Sequence, residues 1–307
     1  MSYAKYTITG ASGWLGQEFI SYLISSQSIE SLSEIKLYSS RKRILEIPGF
    51  GSTVSESFLE TEESEFPETE HFIHLAFLTR DLVDRYGVKE FVAVNKKLTS
   101  RAIDFIEAVK PSHVSNVSSG AVFSRLTGSI ETDNASNPYG YGKLEEENLL
   151  KRVCLQNSIN LSIGRLWGAT GLHMPINRAY AISDLINMGI LDKKLTIKAK
   201  NLVFRRYCDA GEFMNVLTYA ATKSHFTLFD SGGPKVEIGD LALLISQEIG
   251  VLNVERQIDS DVSIDDYYPR SQDYENLLNS MGLKPVSLET QVRNTVVGHK
   301  SQLPKVM

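Results

Sequence analysis

The stretch Thr7-Ile8-Thr9-Gly10-Ala11-Ser12-Gly13-Trp14-Leu15-Gly16 decides the fold of this chain. Three glycines, each three residues after the last, follow an apolar run and precede a segment with apolar residues at helical spacing. Gly10 allows a tight turn after a strand, and Gly13 lets a pyrophosphate approach the backbone. Gly16 lets the next helix pack closely, with its positive N-terminal end facing the phosphates. This order of strand, glycine turn and helix predicts a dinucleotide-binding turn.

Composition and charge narrow the class of protein. The chain has 307 residues, is 42% hydrophobic, and contains no apolar run of the length that a membrane span needs. The N-terminus shows no targeting pattern, which favours a cytoplasmic location. The two cysteines, Cys154 and Cys208, predict packed thiols and no metal site. A net charge of -5, with no basic stretch longer than Arg41-Lys42-Arg43, argues against nucleic-acid binding.

Strand patterns alternate with helix-length segments in the first half of the chain. The strand patterns lie at residues 6–9, 35–39, 72–76, 113–117 and 161–166. Helical patterns span residues 88–109 and 139–153, and the Glu-, Ser- and Thr-rich segment 55–70 is predicted to be a solvated connection. Such alternation predicts an α/β fold with a Rossmann-type doubly wound parallel sheet.

The regular alternation weakens after Gly168, which indicates a smaller, mixed α/β substrate-binding domain with a helix at residues 238–249. Ligands of open sheets bind at the carboxyl ends of the strands, so we expect a cleft between the two domains to be the site. The expected dinucleotide-binding domain is 1–168 with about 205–231, and the expected substrate domain is 169–204 with 232–307.

The end of the second predicted strand favours NADP(H) over NAD(H). An acidic residue at this place bonds the ribose of NAD, whereas an arginine accommodates the 2′-phosphate of NADP. Here the sequence is Ser39-Ser40-Arg41-Lys42-Arg43, without an acid. Its hydroxyls and cations could bind a phosphate dianion through charge-assisted hydrogen bonds. An ordinary basic loop is the alternative interpretation.

A tyrosine and a lysine four residues apart form the candidate catalytic pair. The segment Asn137-Pro138-Tyr139-Gly140-Tyr141-Gly142-Lys143 begins a helix, so Tyr139 and Lys143 share one face. An ammonium beside a phenol favours the phenolate, which lets a tyrosine give or take a proton near neutral pH. Upstream, the strand end at Ser118-Ser119 offers a hydroxyl to a substrate oxygen. A plain amphipathic helix is the alternative for this spacing.

Further motifs accompany the glycine turn and the Tyr139–Lys143 helix. They are Ile73-His74-Leu75-Ala76, Asn95, Gly164-Arg165-Leu166-Trp167-Gly168, Arg205-Arg206-Tyr207-Cys208-Asp209 and Phe229-Asp230-Ser231-Gly232-Gly233. Taken together, these motifs make nearly the whole chain resemble the extended short-chain dehydrogenase/reductase family, which comprises sugar-nucleotide epimerases, dehydratases and reductases.

The resemblance implies roles for individual residues. It implies a catalytic triad of Ser119, Tyr139 and Lys143, with Ser119 preferred to Ser118 because it lies four residues before Phe123. The implied cofactor-binding residues are Gly10, Ser12, Gly13, Trp14, Leu15, Gly16, Ser39, Ser40, Arg41, Leu75, Ala76, Tyr139, Lys143 and Leu166. The implied substrate-binding residues are Phe77, Ser119, Asn177 and Arg205. Arg205 matches an arginine that contacts the nucleotide diphosphate in relatives, and a surface salt bridge is its alternative role.

Departures from the family pattern narrow the implied reaction. Gly120 and Ala121 stand where the dehydratases have an Asp-Glu pair, so sugar dehydration is disfavoured. The cysteine of the dual epimerase/reductases is also missing. Phe77 replaces a small residue and would narrow the cleft near the substrate, while Trp167 replaces a small polar residue.

The implied function is an NADPH-dependent reductase of a nucleotide-linked 4-keto-6-deoxy sugar in surface polysaccharide, including lipopolysaccharide, biosynthesis. In that reaction Tyr139 gives the proton and Ser119 holds the carbonyl oxygen. The alternatives are an NAD-dependent sugar-nucleotide 4-epimerase and a non-catalytic NADP-sensing protein. Relatives pair the helices that match 88–109 and 139–153 across a two-fold axis, so we expect a homodimer, with no membrane or nucleic-acid partner.

Overall fold

The protein is described by a computed structural model that covers residues 3–124, 128–130, 136–176, 180–259 and 263–303. The chain divides into two compact units. The first comprises the described residues up to Leu166 together with Met214–Phe229, and the second comprises Trp167–Phe213 and the described residues from Asp230 onward. Within the described ranges, no helix has the length and apolar character needed to cross a membrane.

Strands and helices alternate along the chain. The strands are β1 (Tyr3–Thr9), β2 (Ile35–Ser39), β3 (Arg43–Ile47), β4 (Gly51–Ser57), β5 (Glu68–His74), β6 (His113–Ser119), β7 (Asn160–Leu166), β8 (Ala169–Thr170), β9 (Leu195–Ile197), β10 (Leu202–Arg206), β11 (Cys208–Asp209), β12 (Phe226–Asp230), β13 (Lys235–Glu237), β14 (Val254–Arg256) and β15 (Ile264–Asp265). The α-helices are α1 (Trp14–Ser25), α2 (Val83–Tyr86), α3 (Val88–Val109), α4 (Pro138–Gln156), α5 (Ala181–Asp192), α6 (Ala210–Lys223), α7 (Ile238–Ile249), α8 (Asp273–Ser280) and α9 (Leu288–Gln302).

The central sheet has the strand order β12-β7-β6-β5-β1-β2-β4-β3 in the described part of the chain. β1 pairs in parallel with β2 and β5, and β6 pairs in parallel with β5 and β7. β3 is antiparallel to β4. Parallel strands need crossover connections, which the helices supply, and this arrangement confirms the predicted Rossmann-type sheet.

The core of the first unit extends into a segment that the sequence analysis placed in solvent. The prediction of a solvated connection over residues 55–70 is wrong at several positions. β4 runs to Ser57, and Phe58 and Phe66, which follow it in the sequence, are buried in the hydrophobic core of this unit. Ser55 is also buried, and its Oγ lies 2.7 Å from the Oγ of Ser39 on β2. Buried serines satisfy each other's hydroxyls here, so a buried strand has no apolar sequence pattern.

The predicted bounds of the helices agree well with the structure. α3 and α7 have the predicted bounds, and α4 starts one residue before the predicted helix and ends three residues after it. Asn137 caps α4 by accepting a hydrogen bond from the Gly140 N–H at 2.9 Å, with Pro138 in the first turn. Proline costs little at this place because the first N–H groups of a helix have no partner within it.

The second unit has smaller sheets, as predicted for a mixed α/β region. β10 pairs antiparallel to β13 and parallel to β15, while β9 pairs with β14 and β8 with β11. Its core includes Leu195, Leu241, Ile245 and Val292, which are fully buried. The cofactor-binding and substrate-binding roles of the two units stay predictions.

Candidate active site

The glycine turn joins β1 to α1 in a shape that only glycine permits at two positions. Gly10 has φ +70°, and a Cβ there would lie 2.9 Å from the carbonyl carbon and oxygen of Leu75. A Cβ at Gly16 would lie 2.6 Å from the Gly10 carbonyl oxygen. Both distances are too short for any side chain. Gly10 therefore lets the turn pass next to the end of β5, and Gly16 lets α1 approach the turn.

The N-terminus of α1 fits a phosphate. Gly13 precedes the helix, no side chain of the described residues caps it, and the first turn contains no acid. A Cβ at Gly13 would meet only the Gly10 carbonyl oxygen, at 3.1 Å, so its other sides are open. The Ala11 N–H donates to the Tyr38 carbonyl oxygen at 3.0 Å, which ties the turn to β2. An open helix N-terminus on a fixed turn suits the pyrophosphate of a nicotinamide dinucleotide.

The residues at the end of β2 differ in their availability to a ligand. Ser39 is buried and its hydroxyl is bonded to Ser55, whereas Ser40 and Arg41 are exposed. Lys42 pairs with Glu56 at 3.1 Å. Arg41 has no ion-pair or hydrogen-bond partner in the described part of the chain. Of the predicted cofactor-binding residues Ser39, Ser40 and Arg41, the last two are therefore open to a ligand.

The two serines at the end of β6 face different surroundings. Ser118 is buried, and its Oγ donates to Glu147 Oε1 at 2.5 Å. Ser119 is half-buried, and its Oγ accepts the Ala121 N–H at 3.1 Å. The Ser119 hydroxyl can still donate its own hydrogen to a substrate oxygen.

The carboxylate that holds Ser118 also binds an arginine. Glu147 accepts the Arg165 Nε–H at 2.9 Å and the Arg165 Nη2–H at 2.7 Å. Both side chains are buried. The geometry is the two-pronged contact that a guanidinium forms with a carboxylate. Ser118 thus belongs to a closed structural network.

α4 places Tyr139 and Lys143 on one face. Tyr139 is half-buried, whereas Lys143 is only 4% exposed. Lys143 Nζ donates to the Val117 carbonyl oxygen at 2.9 Å and to Glu146 Oε2 at 2.8 Å. The ring centroid of Phe77 lies 3.9 Å from Lys143 Nζ and 6.0 Å from the centroid of the Tyr139 ring, edge-on. Phe77 is therefore in contact with both members of the pair.

A polar chain links Lys143 to the start of the glycine turn. Glu146 Oε1 lies 3.3 Å from His74 Nε2, and Thr9 Oγ1 lies 2.8 Å from His74 Nδ1. Burial raises the pKa of Glu146, but the Lys143 ammonium and the nearby His74 outweigh it and bring this pKa below its usual value. Glu146 is absent from the site residues predicted from the sequence. Its position three residues after Lys143, on the same helix face, could have indicated it.

A cavity of about 350 Å³ lies between α3 and α4. Its lining includes Phe77, Asn95, Thr99, Tyr141 and Glu146. Asn95 Oδ1 accepts the Leu78 N–H at 2.7 Å, which fixes the backbone next to Phe77. The predicted homodimer would use the same two helices, and it stays a prediction.

In the second unit, Arg205 is engaged within the chain. Its Nη1–H and Nη2–H donate to Asp265 Oδ1 at 2.9 Å and Oδ2 at 2.7 Å. A diphosphate at Arg205 would have to share the guanidinium with this carboxylate. Trp167 Nε1–H donates to Asp230 Oδ1 at 2.7 Å. Asn177, predicted to bind substrate, lies outside the described residues.

A family model for NAD dependent epimerases and dehydratases matches residues 6–229. This range contains the glycine turn, the β6 serines, the Tyr139–Lys143 helix and Arg205. The chain belongs to the NAD dependent epimerase/dehydratase family. The resemblance drawn from the motifs is thereby confirmed, and members of this family use a nicotinamide cofactor.

Solved structures share the fold at low sequence identity. A UDP-N-acetylglucosamine 4-epimerase from Methanobrevibacter ruminantium M1 is 16% identical, with a TM-score of 0.75, over 99% of this chain and 100% of that one. The corresponding epimerase from Bacillus cereus is 18% identical, with a TM-score of 0.73 and 99% of both chains covered. A dTDP-glucose 4,6-dehydratase from Streptomyces venezuelae with NAD bound is 14% identical, with a TM-score of 0.71 and 97% of both covered. A comparison with curated protein sequences gives no match.

Proposed function

We propose that this family member is an NADPH-dependent reductase of a nucleotide-linked 4-keto-6-deoxy sugar, of the kind used in surface polysaccharides. The observation behind the cofactor choice is the exposed Arg41, which has no partner among the described residues, next to Ser40 at the end of β2. The acid nearest in the sheet register, Glu56, pairs with Lys42. An unpaired guanidinium suits the 2′-phosphate of NADPH.

The side chains of β6 and α4 suit carbonyl reduction. A bound nicotinamide dinucleotide would supply the hydride. Ser119, whose hydroxyl can still donate, would hold the carbonyl oxygen, and Tyr139 would give that oxygen its proton. The positive charge of Lys143 would stabilise the phenolate that Tyr139 becomes when it gives up this proton.

The turn after Ser119 supports reduction over dehydration. Gly120, Ala121 and Val122 form a short 3-10 turn whose side chains have no titratable group. Elimination of water from a sugar needs a separate acid and base near the reacting carbons. This turn offers neither.

An NAD-dependent 4-epimerase is the second candidate. Two of the solved structures with this fold are named as UDP-N-acetylglucosamine 4-epimerases, and four others were determined with NAD. Ser119, Tyr139 and Lys143 would serve either reaction, because both move a hydride and a proton at a carbinol carbon. The two candidates differ in the cofactor.

Dissociation constants for NADPH and NADH test the choice. We expect tighter NADPH binding, and Arg41→Ala should weaken it by roughly 10- to 150-fold, the equivalent of about 1.5–3 kcal/mol for a charge-assisted bond. NADH binding should hardly change, because NADH has no phosphate for Arg41 to meet. Lys42→Ala is the matched control, since Lys42 is already paired with Glu56.

Equal affinities for NADPH and NADH in the unmodified protein would overturn the reductase assignment. NAD retained by the purified protein would then favour the epimerase. Oxidation of NADPH with a panel of nucleotide-linked keto-sugars, followed by absorbance, tests the reaction directly.

A further inference from the structure

Glu146 is a buried carboxylate that accepts a hydrogen bond from Lys143, one of the predicted catalytic residues. It is 1% exposed, and Lys143 is 4% exposed. A buried ammonium without a counter-charge is strongly unfavourable, so this pair depends on both partners. Because Lys143 also donates to the Val117 carbonyl oxygen on β6, two bonds in different directions determine where its ammonium lies.

The polar contacts continue from Glu146 through His74 to Thr9. Thr9 Oγ1 accepts the N–H groups of Leu75 at 3.1 Å and Ala76 at 3.2 Å. Its own hydrogen is then left for His74 Nδ1, 2.8 Å away. A neutral His74 consequently has its proton on Nε2, the atom that faces Glu146 Oε1 at 3.3 Å. Neither of these two buried atoms forms a hydrogen bond of normal geometry in the described part of the chain, so this 3.3 Å approach is the polar contact of each.

We propose that Glu146 is a positioning residue, which holds the Lys143 ammonium in place for Tyr139 and the cofactor and connects it through His74 to Thr9 at the glycine turn. The proposal rests on the proposed function for the roles of Tyr139 and Lys143. Lys143 and His74 face different oxygens of Glu146, so glutamine at this place would turn an NH2 group, which only donates, towards one of them. Small displacements of a catalytic group can cost large factors in rate.

A double-mutant cycle with Glu146→Gln and Lys143→Met tests the proposal. Glu146→Gln alone should lower kcat by roughly 10- to 100-fold. It should weaken dinucleotide binding by about 3- to 10-fold and change the KM of the sugar substrate by less than about threefold. In the Lys143→Met background the same change should lower neither kcat nor dinucleotide affinity further, because Glu146 acts through Lys143. Glu145→Gln, which removes a neighbouring charge on α4, should change neither quantity.

Thermal unfolding supplies a readout that needs neither substrate nor cofactor. Glu146→Gln should lower Tm in the unmodified chain, because it leaves Lys143 unpaired, and should raise Tm in the Lys143→Met chain, because it removes an unpaired carboxylate. Such a reversal of sign requires the two residues to interact directly.

Three results would overturn the proposal: kcat and dinucleotide affinity within twofold of the unmodified protein in Glu146→Gln, a further loss in the Lys143→Met background, or the same loss in Glu145→Gln. A protein that binds dinucleotide but reduces no nucleotide-linked keto-sugar would contradict only the proposed function. Dinucleotide affinity and Tm would then still decide the role of Glu146.

Discussion

Glu146 and Glu147 are consecutive buried carboxylates on α4 with different surroundings. Glu147 forms short hydrogen bonds with Ser118 and with both prongs of Arg165, at 2.5–2.9 Å. Glu146 forms one short bond with Lys143 and a longer contact with His74, and it lines the cavity between α3 and α4. The hydrogen bonds of Glu147 go to Ser118 and Arg165, whereas Glu146 contacts Lys143, one of the predicted catalytic residues.

The cations explain part of this difference. A guanidinium presents a planar fork that matches a carboxylate, whereas an ammonium is a compact charge with three rotatable donors. Arg165 can therefore donate to both carboxylate oxygens of Glu147 at once. Lys143 divides its donors between Glu146 and Val117, which leaves its ammonium less completely enclosed by acceptors.

The largest expected effect is that of a substitution at Tyr139, the predicted partner of Lys143. Tyr139→Phe keeps the ring and removes the hydroxyl, so turnover should fall by about 100-fold or more while cofactor affinity and Tm change little. Steady-state kinetics and dinucleotide titration measure the two quantities. Near-normal turnover would show that Tyr139 is not catalytic. The difference between the surroundings of Glu146 and Glu147 would then have no consequence for catalysis.

The adjacent serines give a matched pair of intermediate size. Ser119→Ala should lower turnover by roughly 10- to 100-fold with little loss of stability, because it removes a donor to the substrate oxygen. Ser118→Ala should leave turnover within twofold but lower the free energy of unfolding by about 1.5–3 kcal/mol, because Glu147 loses a hydrogen bond. Kinetics and urea unfolding of both variants measure these effects. The opposite result would make Ser118 the catalytic serine and Ser119 the structural one.

The smallest expected effect concerns acid stability. A carboxyl whose pKa is lowered on folding stabilises the fold above its unfolded pKa, and this contribution is lost as the pH falls through the folded value. The pKa of Glu146 is lowered from 4.5, because Lys143 and His74 outweigh the effect of burial. The Glu146→Gln variant has no carboxyl to titrate at this position. The difference in unfolding free energy between the unmodified protein and this variant should therefore shrink by about 1 kcal/mol between pH 7 and pH 4. A deficit that is the same in urea unfolding at both pH values would show that Glu146 is not held ionised.

Prediction from sequence succeeded where local spacing has a direct structural consequence. The glycine turn predicted the join of β1 to α1, and helical spacing predicted the bounds of α3 and α7. It failed at β4, because the buried Ser55 and Ser57 have no apolar pattern. The catalytic and cofactor roles of individual residues stay predictions, since they depend on ligands that local spacing does not describe.

The sequence by itself determined the Rossmann-type sheet, the glycine turn, the shared face of Tyr139 and Lys143, and membership of the epimerase/dehydratase family. The sheet, the turn and the shared face follow from periodicity and backbone freedom, which act over a few residues. The family membership follows from the combined motifs and from the family model over residues 6–229. Only the tertiary structure showed that His74 of β5 meets Glu146 of α4, and that Arg205 is neutralised by Asp265. Those contacts join residues at least 60 positions apart, and they depend on which elements pack together.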